Sequence, residues 1–221
     1  MPLNYTVPYD VPYSSPSTCV ARTLVPQVVA YDEQQQPKGC VNGVAIRVAD
    51  TVYIVTVASF TIDAMGFKAV FKPKNKPDVS VLDLMLVKAP KPPFHNQFDL
   101  AVFQLQEKLP FLPRFFPVAG MSLSSVMAPV VARDQEGVLR LRTGVACGAT
   151  GNYHLTTALT DEGFAGAPVV DAIGNFVGMV TRASVSTGQP TRFLTASAVR
   201  IFACTGSPPV PLFPGIYDVE L

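Results

Sequence analysis

The 221-residue chain has no tryptophan, only two histidines and four widely spaced cysteines. Charged residues make up 15% of it, against about 25% in an average soluble protein, which excludes a charged disordered tail and a coiled coil. No apolar run approaches the roughly 20 residues of a membrane-spanning helix, so a soluble chain with no membrane span is expected. The net charge of +1 gives no support to nucleic-acid binding driven by overall charge. Cys19, Cys40, Cys147 and Cys204 are too far apart for a zinc knuckle or a CxxC redox pair. The N-terminus lacks the basic and apolar segments of a secretory signal. The cysteines are therefore expected as reduced thiols in a cytosolic-type compartment, packed as small buried hydrophobes. No carboxylate pair or His/Cys cluster has metal-ligand spacing, and GVACGATG at 144–151 does not follow a phosphate-binding pattern. Neither a metal nor a cofactor is expected, and the glycines of 144–151 are read as a loop bordering a cleft.

Hydrophobic residues, at 48%, and 21 prolines are what the chain has in quantity. Its length allows one large domain or two small ones with a real core, and proline at this density favours short strands over long helices. Residues 1–25, with Pro2, Pro8, Pro12 and Pro16, read as an extended arm. Val- and Ile-rich runs then follow at 27–31, 41–48, 51–58, 68–72, 79–88 and 100–105, separated by turn residues such as Lys38-Gly39. Residues 109–120, with Pro110, Pro113 and Pro117, read as a linker. A second series occupies 126–133, 137–142, 154–159, 167–171, 176–181 and 192–194, with a short helix at 196–202 capped by Thr195. Nothing repeats at a fixed period. Two sets of six strands around an apolar, proline-rich connection predict an all-β fold of two small six-stranded antiparallel barrels, spanning 26–108 and 121–205. A single long sandwich is the alternative, and 206–221 reads as a proline-rich tail.

The most informative stretch is TDEGFAGAPVV at 160–170, followed by DAIGNFVGMVTRA. Gly163 and Gly166 flank Ala165, so the backbone can turn tightly before Ala167-Pro168-Val169-Val170 enters a buried strand. Asp171 to Asn175 make a hairpin turn, and Phe176 to Val180 return as the partner. A glycine turn ahead of a buried hairpin can aim backbone N–H groups into a cleft, where they would bind a developing oxyanion.

In these residues the chain resembles the chymotrypsin-like proteases. Their nucleophile lies in G-x-S-G-x-P, or in G-x-C-G-x-P in the viral 3C-like branch. Here the match is Gly163-Phe164-Ala165-Gly166-Ala167-Pro168, then Gly178-Met179-Val180, with Ala165 at the nucleophile position. Upstream, Tyr53-Ile54-Val55-Thr56-Val57-Ala58 matches the run before the family's general base, but the next residue is Ser59 and not His. Asp99-Leu100-Ala101-Val102-Phe103 matches the strand that opens on the family's acid. The three anchors keep the family's order, with 40 residues from Ser59 to Asp99 and 66 from Asp99 to Ala165. The resemblance implies a chymotrypsin-like double barrel, a degenerate triad at Ser59, Asp99 and Ala165, and oxyanion-hole N–H groups at Gly163 and Ala165. It also implies a substrate pocket lined by Leu159, Thr160, Val180, Thr181 and Ala183. Thr160 keeps the Thr position of the Gln-specific viral members, but Val180 replaces their pocket His and Leu159 the Asp of basic-specific members. The pocket that remains is apolar.

Hydrolysis by this route needs a hydroxyl or thiol and a base to take its proton. A methyl group at Ala165 supplies neither, and a serine hydroxyl is no base near neutral pH. His95 lies in a proline-rich loop and reads as solvated, while His154 starts a strand, so neither fills the base slot. Cys147 lacks the preceding glycine that a nucleophile turn requires and reads as a buried strand end. Loss at three chemical positions reads as natural drift to a pseudoprotease in a viral replicase polyprotein. Such a domain would bind replicase or polyprotein components, or peptide strands in its cleft, in the host-cell cytoplasm. The alternatives are a polyprotein-processing endopeptidase inactivated by a nucleophile-to-Ala change, and a structural or capsid-like β-protein. Lys68, Lys72, Lys74 and Lys76 form a candidate RNA contact, weighed against a solvated hairpin loop.

Overall fold

A computed structural model describes residues 25–48, 51–71, 80–89, 99–106, 127–134, 137–172, 174–182 and 189–207; Ser80, Thr150 and Arg182 are described by backbone alone. Most of the expected arm, the 109–120 linker and all but the start of the 206–221 tail lie outside these residues. So do Cys19, Lys72, Lys74, Lys76, His95 and Ala183.

Two antiparallel sheets carry the chain. The first holds β1 (Gln27–Tyr31), β2 (Pro37–Asn42), β3 (Val44–Val48), β4 (Thr51–Thr56), β5 (Gly66–Phe71), β6 (Ser80–Lys88) and β7 (Ala101–Leu105). The second holds β8 (Val130–Arg133), β9 (Leu139–Arg142), β10 (Ala146–Thr150), β11 (Tyr153–Thr156), β12 (Pro168–Val170), β13 (Phe176–Arg182) and β14 (Thr191–Thr195), followed by helix α1 (Ala196–Thr205). The first sheet runs β2-β1-β5-β6-β7-β4-β3 and the second β9-β8-β12-β13-β14-β11-β10, the same order shifted by seven. The fold is thus repeated although the sequence is not.

The topology forces each sheet to curl. β2 and β3 are opposite edges of the first sheet, yet only Gly43 separates them in the chain. β9 and β10 are opposite edges of the second, joined through Thr143, Gly144 and Val145. Both junctions are crowded: a Cβ on Gly43 would lie 2.9 Å from Val28 Cγ2, and one on Gly144 would overlap the Ala158 backbone N–H. Glycine is needed where these backbones approach so closely. The result is the expected chymotrypsin-like double barrel.

Each sheet has seven strands where six are expected. The 41–48 run breaks at Gly43, and the glycine stretch read as a loop supplies β10. Lys38-Gly39 is not a turn but part of β2. The turn lies before it, where Asp32 Oδ1 accepts from the N–H groups of Gln34 (2.9 Å) and Gln36 (2.8 Å) and Gln35 takes φ 61°. An Asx turn of this kind satisfies the backbone locally and sets the hairpin without Gly or Pro.

Alternation builds the cores. On β5, Phe67, Ala69 and Phe71 point inward, and Phe67 packs on Phe103 of β7 with ring centroids 4.9 Å apart. The second barrel is filled by Val130, Phe164, Val169, Val177, Val180 and Phe193. A third cluster lies between them, where Val44, Val55 and Val102 of the first barrel meet Val131, Val170, Met179 and Leu194 of the second, with Val199 and Phe202 of α1. Strands such as β4 and β7 are buried on both faces because each belongs to a barrel interior and to this seam. α1 starts where Thr195 Oγ1 accepts from Ala198 N and ends at Gly206, whose φ of 74° lets its N–H reach Phe202 O at 2.7 Å. It runs three residues past its expected end. Lys88 of β6 donates to Ala203 O (2.7 Å) and Cys204 O (2.8 Å), placing a cation at the negative end of the helix dipole.

His154 enters the second barrel beside Phe193, edge-on at 5.7 Å, and its buried Nδ1 has no partner among the described residues. Burial lowers its pKa below the ordinary 6.5. Below that value the unfolded chain takes up a proton more readily than the folded one, so stability is lost as pH falls through 6.5 and stops falling once the folded imidazole also protonates. The thermal midpoint followed by circular dichroism should drop on acidification from neutrality. His154→Phe should remove that part of the drop.

Candidate functional site

β4 and β7 are neighbours with Thr56 opposite Ala101, so the end of one meets the start of the other. Ser59 lies in a one-turn 3₁₀ helix (Ala58–Thr61) just after β4, and Asp99 lies just before β7. Ser59 Oγ donates to Asp99 Oδ2 at 2.8 Å, and Ser59 N–H donates to Asp99 Oδ1 at 2.6 Å. The expected base and acid positions are therefore in direct contact. The serine hydroxyl spends its single proton on the carboxylate and has none of the two-sided acid–base capacity of an imidazole.

Ala165 follows a second one-turn 3₁₀ helix, Glu162–Phe164, capped by Asp161. Within it Asp161 Oδ1 accepts from Gly163 N at 3.0 Å, and Glu162 O accepts from Ala165 N at 3.4 Å. The two N–H groups expected to face the cleft are engaged inside the turn instead. Gly166 has φ 76°, and its N–H reaches Val180 O at 2.8 Å, while Val180 N reaches Ala167 O at 2.9 Å. The turn is thereby sewn onto β13.

The turn is also bolted to the first barrel. A Cβ at Gly166 would collide with Asn42 O and Thr56 Oγ1, so only glycine, already favoured by the positive φ, fits there. Asn42 N donates to Ala165 O at 3.1 Å, and Thr56 Oγ1 donates to Asn42 O at 2.5 Å. Asn42 Nδ2 donates to Gly163 O (2.7 Å) and to Arg133 O (3.2 Å), and its Oδ1 accepts from Arg133 N (2.6 Å). Thr56 lies three residues before Ser59, so the Ala165 turn is held against the strand that leads to Ser59. Asn42 and Arg133 escaped the sequence reading. An Asn closing a strand just before a glycine was the available signal, and it pointed equally to a turn.

Among the expected pocket residues, Thr160, Val180 and Thr181 are buried and Leu159 is 44% exposed. Thr160 Oγ1 lies 3.0 Å from Thr191 Oγ1, which donates to Ala158 O at 2.5 Å. Thr191, not anticipated, thus fills polar space beside Thr160. Lys68 is 3.9 Å from Asp83 and 5.1 Å from the Tyr31 ring centroid, so its charge is already partly balanced. Among the described residues no three His, Cys, Asp or Glu groups gather as a metal site. Cys40, Cys147 and Cys204 are free thiols, but exposed and not buried as expected. Both Cys40 and Cys147 sit on edge strands, Cys40 in the exposed first part of β2 and Cys147 at a bulge in β10.

No protein-family model matches the chain, and no curated protein matches it in sequence. Solved structures do match it in fold. A serine endoprotease from Yersinia pestis superposes with a TM-score of 0.66 at 19% identity, covering 88% of this chain and 68% of that one. The MamO protease domain from Magnetospirillum magneticum, in apo form, gives 0.60 at 19% identity over 82% of this chain and 96% of its own. An HtrA-type protease, AlgW, with a tripeptide gives 0.62 at 20% identity over 87% and 65%. This chain spans about two thirds of the first and third. The fold is that of chymotrypsin-like serine protease domains.

Asn42→Ala should destabilise the protein by about 1–3 kcal/mol, chiefly because buried Arg133 N loses its partner, while the part-buried Gly163 O loses a second bond. Urea unfolding measures this.

Proposed function

We propose that this protein is a catalytically inactive chymotrypsin-like domain of a viral replicase polyprotein, working in the host-cell cytoplasm by holding peptide strands of replicase partners in its inter-barrel cleft. The observation that carries the loss of catalysis is the Ser59–Asp99 pair, in which both carboxylate oxygens are taken by one residue that is no base. Ala165 offers no nucleophile, and Gly163 N and Ala165 N hydrogen-bond within their own turn. In a working triad, losing the nucleophile or the base alone costs on the order of a millionfold in kcat, because the residues act as a unit.

Support for peptide binding comes from β13. Its pairing with β12 starts at Met179 opposite Pro168, and the Ala165 turn takes up Val180. Thr181 and Arg182 continue past that point, while β14 covers only the other side. An extended peptide adds to such an edge by main-chain hydrogen bonds. AlgW, similar in fold, was solved with a tripeptide. The viral and polyprotein setting rests on the likeness of the 163–168 turn to the viral branch.

A second reading, an endopeptidase silenced by a nucleophile-to-Ala change, draws on the retained positive φ at Gly166 and the Ser59–Asp99 contact. Restoring Ala165→Ser separates the two. The pseudoprotease reading expects no cleavage of a peptide library or of flanking polyprotein, since Ser59 leaves the new hydroxyl without a base. Turnover by that single variant would overturn it. Ser59→His combined with Ala165→Ser then reports whether the scaffold still holds triad geometry.

A further inference from the structure

We infer that Thr191 closes the pocket beside the Ala165 turn, and that the bound peptide carries only glycine, alanine or serine where it faces that pocket. The inference rests on the peptide-binding reading and deepens it. One wall of the pocket is the segment 157–160, which leaves β11 and leads to the turn. Thr191 opens β14 directly opposite Thr156, the last residue of β11. From there the segment is drawn onto the Thr191 side chain at two points. Thr191 Oγ1 donates to Ala158 O at 2.5 Å and lies 3.0 Å from Thr160 Oγ1. A hydroxyl has one proton, and that of Thr191 goes to Ala158 O, so Thr160 is the donor to Thr191. Thr156 Oγ1 holds the start of the segment, accepting from Ala158 N at 3.2 Å and donating to Ala128 O at 2.8 Å.

A pocket deep enough for a long side chain exposes its walls to water, and these walls are dry. Ala158 and Thr191 are 0% exposed, Thr160 6% and Thr181 7%. Val180, expected on the wall, packs instead in the second barrel with Val130 and Phe193. Among the described lining residues only Leu159 is exposed. Turning Thr191 aside would leave Ala158 O and the Thr160 hydroxyl buried without partners, so the loss of both bonds opposes opening. The same pair of bonds sets the polar preference. With its proton held by Thr191, Thr160 has only lone pairs left and no donor for the amide oxygen of a Gln side chain. A peptide strand laid along the backbone at 181–182 sends alternate side chains toward this wall. A bulky one meets closed packing and lifts the strand from the edge, breaking the main-chain hydrogen bonds that hold it.

The test uses fluorescence anisotropy with labelled octapeptides Ser-Thr-X-X-X-X-Thr-Ser, in which every X is Ala, Val or Gln. Equal central residues keep the same side chain at the pocket when the strand slips by a position. The protein should bind the Ala peptide about tenfold tighter than the Val or Gln peptide, the usual effect of overpacking a site. Thr191→Ala removes as many heavy atoms as Val adds to Ala, so the Val peptide should come within about twofold of the Ala peptide. Thr191→Val keeps the bulk and drops the hydroxyl; it should lower the thermal midpoint yet keep the preference for Ala. If Thr191→Ala does not fold, Thr191→Ser, which keeps the hydroxyl and loses one methyl, decides by narrowing the gap in part. Val or Gln peptide binding as tight as Ala overturns the inference while leaving peptide binding intact. An Ala-over-Val ratio unchanged in the folded Thr191→Ala or Thr191→Ser variant also overturns it. If none of the three peptides binds, the peptide-binding reading falls, and the inference with it.

Discussion

Everything at the seam depends on Asn42 being hydrogen-bonded in all directions at once. Its side chain spans Gly163 O and both backbone groups of Arg133, its N–H holds Ala165 O, and its own carbonyl takes the Thr56 hydroxyl. The residue is 1% exposed, so each of these groups would be costly to leave unpaired. The constraint spreads outward. Gly166 must be glycine because Asn42 O and Thr56 Oγ1 fill the space a side chain would need. Arg133, 5% exposed, can be buried because Nε and Nη1 reach Val25 O and Gly137 O while its backbone is clamped by Asn42. One amide thus fixes the end of β2, the end of β8 and the Ala165 turn relative to one another.

Much of this fold was legible from local pattern. The strands were visible because Val- and Ile-rich runs alternate, and Ser59 meets Asp99 because the end of β4 lies beside the start of β7. What stayed hidden was non-local. Gly43 breaks one apolar run into two strands on opposite edges of a sheet, which no window around it reveals. Thr191, an ordinary strand residue in the sequence, becomes a buried partner of Thr160 from 31 positions away. The exposed cysteines mark a limit of composition: Cys is usually buried, but an exposed edge-strand end and a bulge leave Cys40 and Cys147 in water whatever their chemistry.

Around Ser59, Asp99 and the Ala165 turn the hydrogen bonding is closed locally. Asp99 accepts one bond from Ser59 on each carboxylate oxygen, and Gly163 N finds Asp161. A reaction centre ordinarily keeps such groups under-satisfied so that they can act on substrate. Here Asp99 and Gly163 N are satisfied by residues of their own neighbourhood.

Among the described residues, the contacts that join the halves are of very long range: Lys88 to the end of α1 spans 115 and 116 residues, Gln27 to Asp134 spans 107, and Asn42 to Gly163 spans 121. Synthesis therefore delivers a first barrel whose Val44, Val55 and Val102 face has no second barrel to cover it. That face stays open to water until α1 has left the ribosome, and it is during this interval that a chaperone or a wrong partner competes with the native mate. The bond from Lys88 to the last turn of α1 can form only after residue 204 has been made, so it is among the last native contacts open to the first barrel.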